Sequence, residues 1–166
     1  MEIKTMKNQR PELVIEEYFL GKTWAWGLFE DRFGTIRQCF KVEMNGLVEG
    51  NQLTLDEQFF YEDGTGSKRL WKINALGNGF YEGTAGDVAG TAKGQSSGNA
   101  FEWTYMLDLP VSGRTWRVKL DDRLYLQEDD KIINIARVSK WGFHLGRLTF
   151  FFSKEMGVLN SARPLI

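Results

Sequence analysis

The sequence predicts an all-β fold: a single closed antiparallel barrel of about ten strands, with a short helix capping one end. Apolar and polar residues alternate with a period of two along most of the chain after Trp24, as in half-buried strands. Turn sequences such as Asp63-Gly64 and Ser112-Gly113 separate these runs, and no long helix lies between any two of them. Connections this short require antiparallel neighbours, and closure removes the exposed sheet edges. A two-sheet sandwich is the alternative.

The best helix candidate covers residues 11–19, where Pro11 is tolerated in a first turn and Gly21 is suited to end the helix. A helix this short requires packing against another element, so we expect it to cap the barrel. The chain then divides into an extended or disordered tail over 1–10, a barrel domain over 11–154 and a C-terminal tail over 155–166.

Residues 83–99 form an unusual run of glycines and other small residues. In a strand, the even-numbered positions from 86 to 98 share one face, and all of them are small. We expect this face to point inward and the more polar odd-numbered face to point outward. Two causes remain open: Trp and Phe side chains from across the barrel fill the space, or the space is left for a ligand.

The composition excludes several classes of function. With 21 Lys and Arg against 22 Asp and Glu, the chain lacks the cationic excess that nucleic-acid binding requires. A single Cys and a single His exclude an intramolecular disulfide and any site with two histidines, and we expect no metal site. No signal peptide and no membrane span are expected. As written, the chain is expected to be cytoplasmic, or periplasmic or envelope-bound if a leader has been removed.

Several short motifs occur together in an order that resembles the bacterial family known as domain of unknown function 3833. They include TWAWG at 23–27, LTLDE at 53–57, YEGTA at 81–85, GNA at 98–100, LPV at 109–111 and SK at 139–140. The resemblance implies a lipocalin-like (calycin-like) barrel and brings no assigned reaction. It also implies that many relatives are lipoproteins, and an association with genes of fatty-acid modification points toward lipid ligands.

Asp122 is the sharpest candidate for a functional residue because it interrupts the apolar face of its strand between two leucines. A buried carboxylate is costly unless it is paired or protonated. A hairpin that turns at 129–130 would place Arg137 nearly opposite Asp122, and Arg32 is a second candidate partner. Asn134 belongs to the same cluster if its side chain points inward. Asp122 and Arg137 then form either a structural ion pair or an anchor for the polar end of a ligand.

These observations predict that the protein binds or carries a small hydrophobic molecule, a fatty acid or modified lipid, inside the barrel. The proposed ligand-binding residues are Trp26, Phe40, Tyr105, Asp122, Asn134 and Arg137. One alternative is a barrel enzyme with isomerase- or hydrolase-like acid–base chemistry at Asp122 and Arg137. Another is a haem barrel with His144 as axial ligand; otherwise no cofactor is expected. A filled barrel that acts only through its outer surface is the remaining alternative.

Overall fold

Ten antiparallel strands form one closed barrel in the computed structural model of the protein, which describes residues 3–155. Each strand pairs with its neighbours in sequence, and β1 also pairs with β10, so the sheet has no free edge. The predicted closed barrel is therefore confirmed and the sandwich is excluded. The strands are β1 (Gly21–Asp31), β2 (Ile36–Glu49), β3 (Gln52–Tyr61), β4 (Gly66–Gly77), β5 (Phe80–Thr84), β6 (Val88–Ser97), β7 (Ala100–Val111), β8 (Arg114–Leu126), β9 (Ile132–Lys140) and β10 (Phe143–Ser153).

The inward face of the strands forms one continuous apolar core that is rich in aromatic rings. Trp71 and Trp103 face each other with ring centroids 4.5 Å apart, and Tyr105 meets both of them edge-on. A second group of rings lies around Phe40, which contacts Phe150 at 5.1 Å between ring centroids. Offset and edge-on contacts of this kind add to the hydrophobic stabilisation of the core.

The glycine-rich run provides room for these rings. A Cβ at Gly94 would lie 2.8 Å from the ring of Phe101, and one at Gly83 would lie 2.8 Å from the ring of Trp103. Side chains from β7 therefore occupy the space beside β5 and β6. Of the two causes considered for the small inward wall, filling by large aromatic residues is correct.

The N-terminal segment differs from its prediction. The helix α1 is a single turn, Ile15–Tyr18, because the residues before it are extended and Leu13 N–H donates to the carbonyl of Gly98 at the end of the barrel. Residues Ile3–Met6 form a 3-10 turn that packs against β6 and β7, where the sequence predicted an extended or disordered tail. The Ile3 side chain is buried, and this hydrophobic contact holds residues Ile3–Met6 against the barrel.

Hydrogen bonds anchor this segment as a plug across one end of the barrel. The Tyr18 hydroxyl donates to the carbonyl of Asp130 at 2.7 Å, and the Tyr81 hydroxyl donates to a Glu16 carboxylate oxygen at 2.7 Å. Lys154 Nζ donates to the carbonyl of Tyr18 at 2.6 Å, so the end of the described chain also holds the plug. A second 3-10 turn, Glu128–Asp130, joins β8 to β9 at this end.

The opposite end, called the rim below, consists of the five turns at 32–35, 62–65, 85–87, 112–113 and 141–142. Within residues 3–155, no helix has the length and apolar character needed to cross a bilayer.

Replacement of Gly46 by Ala tests the fit between plug and barrel. A Cβ at Gly46 would overlap the carbonyl oxygen of Phe19, so we expect Gly46→Ala to lower the free energy of unfolding by about 2 kcal/mol. Gly86 has no atom within 4 Å of the corresponding position, and Gly86→Ala is the matched control, expected to change stability by less than about 0.5 kcal/mol. Urea denaturation measures both values. Equal stability of the two variants would contradict the proposed contact.

Candidate functional site

Three ionisable side chains point into the apolar interior from neighbouring parts of the barrel. Asp122 projects inward from β8, as the sequence predicts. Glu57 projects from β3 and Arg69 from β4, and both also line the interior. Sequence reasoning missed these two residues. The signal that identified Asp122 was nevertheless present for Glu57, which interrupts an apolar face between Leu55 and Phe59. Arg69 lacks it, because its neighbours on the same face are Ser67 and Trp71.

Arg69 holds the rim side of this polar cluster together. Its guanidinium binds the Asp87 carboxylate through Nη2, at 2.8 Å from Oδ2, and through Nε, at 3.0 Å from Oδ1. Nη1 lies 3.8 Å from Glu57 Oε2, and the guanidinium carbon lies 5.2 Å from the centre of the Phe59 ring. A two-point contact of this kind is the strongest geometry of an Arg–carboxylate pair. Arg69, and neither Arg137 nor Arg32, is therefore the interior cation.

Asp122 is held by donors from both flanking strands. Trp103 Nε1 donates to Oδ2 at 3.1 Å, and Asn134 Nδ2 donates to Oδ1. The same Asn134 nitrogen donates to the carbonyl of Arg123 at 2.9 Å, which fixes its orientation. Asn134 is buried and belongs to the inner cluster, so its inward side chain agrees with the sequence prediction.

The predicted pairing of Asp122 with Arg137 is wrong. In the β8–β9 ladder Asp122 lies opposite Ala136, and Arg137 lies opposite Asp121. Arg137 is exposed and lines a polar groove on the outside of the barrel. The error is a shift of one residue, and because successive side chains in a strand point to opposite faces, that shift moves Arg137 from the interior to the surface.

Trp26 also lies outside the barrel, where its ring packs against Phe151 with 6.2 Å between centroids. The inward positions in the middle of β1, Ala25 and Gly27, are small instead. A Cβ at Gly27 would lie 2.6 Å from the rings of Phe40 and Phe150, which need this space. The other two predicted aromatic residues are internal: Phe40 is buried among the rings of the rim half, and Tyr105 lines the interior beside the polar cluster.

His144 is solvent-exposed near the start of β10 and does not line the interior. Axial ligation of a haem inside the barrel by this residue is therefore inconsistent with the structure. Within residues 3–155, no group of three or more His, Cys, Asp or Glu side chains is arranged to hold a metal ion.

Burial raises the pKa of two carboxyl groups to values near neutral pH. Loss of water raises the pKa of Glu57 to about 7; the positive charge of Arg69 opposes this shift, while the charge of Asp122 adds to it. Loss of water also raises the pKa of Asp122 to about 6, although the hydrogen bonds from Asn134 and Trp103 favour its ionised form. Burial and the charge of Asp122 raise the pKa of Tyr105 as well, which keeps its hydroxyl protonated.

A cavity of about 90 Å³ lies between the plug and the polar cluster. Its lining is mostly aromatic and aliphatic, and Glu57, Arg69, Tyr105, Asp122 and Asn134 supply the polar groups. The Tyr105 hydroxyl and the Glu57 carboxyl form no hydrogen bond with any other part of residues 3–155. The cavity therefore presents one hydroxyl group and one titratable carboxyl group that lack a hydrogen-bond partner within residues 3–155, although Arg69 lies 3.8 Å from the carboxyl group.

A sequence profile described as "Protein of unknown function (DUF3833)" matches residues 1–154. The chain belongs to this family. No curated protein shows significant similarity to the DUF3833 chain in sequence. Among solved structures, it resembles the S-type phycobiliprotein lyase CPES from Guillardia theta, with a TM-score of 0.64 and 6% sequence identity over 93% of this chain and 98% of the lyase chain. At this identity the likeness establishes the lipocalin-like fold of the DUF3833 protein and nothing about its chemistry.

Glu57→Gln tests the buried carboxyl group through the pH dependence of stability. Because the folded pKa of about 7 lies above the ordinary value of 4.5, the folded state holds the proton more tightly, and stability falls as pH rises between these values. We expect this group to account for about 3 kcal/mol of that loss. Glu57→Gln should flatten the profile and be more stable than the wild type at pH 8.

The matched control is Glu43→Gln on the outer face of β2, which is exposed and should leave the profile unchanged. Urea denaturation at a series of pH values measures all three proteins. A Glu57→Gln profile parallel to that of the wild type would show that this carboxyl group is ionised without cost.

Proposed function

We propose that the protein binds a small hydrophobic molecule in the interior of the barrel, with a fatty acid or a modified lipid as the ligand class. The observation that carries the proposal is the cavity, an apolar space onto which a few polar groups converge. This combination is characteristic of small-molecule sites. A core that served stability alone would gain nothing from Glu57 and Arg69, because replacing a buried ion pair by apolar residues is often neutral or stabilising.

A ligand of this class requires more room than the cavity offers in its present form. A volume of about 90 Å³ accommodates about three water molecules, whereas ligand sites typically measure about 300–1,000 Å³. Binding therefore involves displacement of interior side chains. Phe59 and Phe150 are the best placed, since both line the cavity, are only partly buried and lie on the side of the rim.

The wall of the barrel is weakest beside Arg69. β4 pairs with β5 only from Lys72 onward, because β5 ends at Thr84, and the turn at 85–87 follows. The ion pair between Arg69 and Asp87 spans this gap in the ladder. Opening here breaks side-chain contacts and few backbone hydrogen bonds, so we place ligand entry at this turn.

The likeness to a phycobiliprotein lyase is consistent with a small-molecule ligand in a barrel of this shape. It does not identify the ligand.

Acid–base catalysis at the same site is the second candidate function. It is favoured by the pKa values of Glu57 and Asp122, about 7 and about 6, which suit groups that exchange a proton near neutral pH. Arg137 takes no part in this version, and Arg69 is the cation available to hold an anionic group.

Val42→Phe tests whether the ligand lies inside the barrel. Val42 is buried and lines the cavity, so a phenyl ring there should occupy the free volume and weaken binding of a dansyl-labelled fatty acid about tenfold or more. Trp26→Ser on the outer face is the control and should bind like the wild type. Fluorescence titration measures both affinities. Unchanged binding by Val42→Phe together with weaker binding by Trp26→Ser would move the site to the outer surface.

The affinity for a fatty acid should depend on the protonation of Glu57. Above its pKa of about 7 the Glu57 carboxylate repels a ligand carboxylate beside Arg69, and below it the protonated group donates a hydrogen bond to the ligand. We expect about tenfold tighter binding at pH 6 than at pH 8 for the wild type, and no such change for Glu57→Gln. The corresponding fatty alcohol is the control ligand. Equal affinity at both pH values would place the ligand carboxylate away from Glu57.

A further inference from the structure

Three of the five rim turns lie side by side and are linked to one another. The strand order β2-β1-β10-β9-β8-β7 places the turns at 32–35, 141–142 and 112–113 next to each other around the barrel. Arg32 N–H donates to the carbonyl of Leu145 at 3.0 Å, which ties the first turn to β10. Lys140 Nζ donates to the carbonyl of Arg117 at 2.9 Å, which ties β9 to β8. We call these three turns and their flanking residues, 30–37, 109–117 and 138–145, the basic half-rim.

Large aromatic side chains on the basic half-rim face the solvent. Trp141 is 85% exposed, Phe33 76%, Phe143 69% and Trp116 44%. The other half of the rim, residues 60–68 and 84–89, has one exposed ring of this kind, Phe60 at 44%. Contiguous exposed apolar groups on one face of a domain indicate an interaction surface.

The backbone at Trp141 shows that the turn itself does not require this residue. Trp141 and Gly142 have positive φ angles of 50° and 80°, a two-residue hairpin turn that favours Asn-Gly. A bulky residue in the left-handed region is strained. Trp141, the most exposed Trp of the described chain, therefore occupies a position where Asn would cost less conformational free energy. This indicates that Trp141 serves a purpose other than stabilising the fold.

Charge divides the rim in the same way. The basic half-rim carries five Lys and Arg side chains and two carboxylates, whereas residues 60–68 and 84–89 carry three carboxylates and one Lys. Both carboxylates of the basic half-rim are already engaged, Asp31 with Arg37 and Glu30 with Arg147. Within residues 3–155, no carboxylate forms an ion pair with the remaining cations Arg32, Arg114 and Lys140.

These cations lie among the aromatic rings. Lys140 Nζ is 4.5 Å from the centre of the Trp141 ring and 5.3 Å from that of Trp116, and the Arg32 guanidinium is 4.6 Å from the centre of the Phe33 ring. Aromatic rings with neighbouring cations match the interface of an anionic bilayer, where rings enter the headgroup region and Lys and Arg contact the lipid phosphates.

We propose that the basic half-rim docks the barrel on the surface of a bilayer that contains anionic phospholipids. Trp141, Phe33, Phe143 and Trp116 enter the headgroup layer, and Arg32, Arg114 and Lys140 bind phosphate oxygens. The acidic half of the rim is repelled by the same surface, so the barrel tilts with its basic half toward the membrane. The residues of the basic half-rim do not line the cavity, so this proposal does not depend on the proposed internal ligand.

Co-sedimentation with lipid vesicles tests the proposal. The full chain is mixed with vesicles of phosphatidylcholine alone or of phosphatidylcholine with phosphatidylglycerol. We expect binding to the anionic vesicles that falls with added salt, since exposed charges are screened. The Trp141→Asn variant should bind about tenfold more weakly, and Lys140→Gln about fivefold more weakly. Because Asn suits the left-handed turn, Trp141→Asn should unfold at the same or a higher temperature than the wild type.

Phe80→Ser and Lys72→Gln are the matched controls. Phe80 is 52% exposed at the plugged end, and Lys72 is exposed on β4, so both should bind vesicles like the wild type. The proposal is overturned if the wild type does not bind anionic vesicles, or if the controls weaken binding as much as the half-rim variants do. It is also overturned if soluble polyglutamate binds equally well to wild type and Trp141→Asn and displaces the vesicles, since the surface would then be a binding site for acidic polypeptides.

Discussion

Pairing of β1 with β10 is the interaction on which the rest of this structure depends. It turns a ten-stranded sheet into a barrel without edges, and it gives every strand one face toward water and one face away from it. In an open sheet the polar side chains of both faces would keep access to solvent. In the closed barrel, each inward side chain must either pack against a neighbour or find a polar partner within the protein.

The interior polar cluster is the consequence of that closure with the greatest bearing on function. Arg69 shares the barrel with the carboxyl groups of Glu57 and Asp122 and reaches Asp87 at the rim. These contacts compensate only part of the free-energy cost of burying the two carboxyl groups. Asp122 accepts hydrogen bonds from two donors, whereas Glu57 has only the guanidinium at 3.8 Å. The same exclusion of water that packs the aromatic rings thus raises the pKa of Glu57 to about 7 and that of Asp122 to about 6.

The two ends of the barrel have different roles because they are built differently. At one end the N-terminal segment is held by hydrogen bonds from Tyr18, Tyr81 and Lys154, and it closes the interior. The other end consists of short turns, which are free to carry residues that the fold does not require. There the Arg69–Asp87 pair lies beside the turn at 85–87, and Trp141 and Phe33 lie on the opposite half of the rim. A barrel that took a ligand from a membrane would use both features, docking through one half of the rim and opening at the other.

The sequence by itself determined the strand number, the antiparallel order and the inward position of Asp122, because alternation and turn residues act over a few neighbouring positions. The same local signal was available for Glu57 but not for Arg69, whose neighbours on the same face are Ser67 and Trp71. The sequence did not determine which of these side chains contact each other. Asp122 lies opposite Ala136 and not Arg137. Asp87 binds Arg69 from a turn that is not paired with the strand of Arg69. Nor did it reveal that Trp26 lies outside and Gly27 inside, since both faces of β1 carry apolar residues. Register and closure result from ten strands acting together, so only the tertiary structure decided the contents of the interior and the division of the rim.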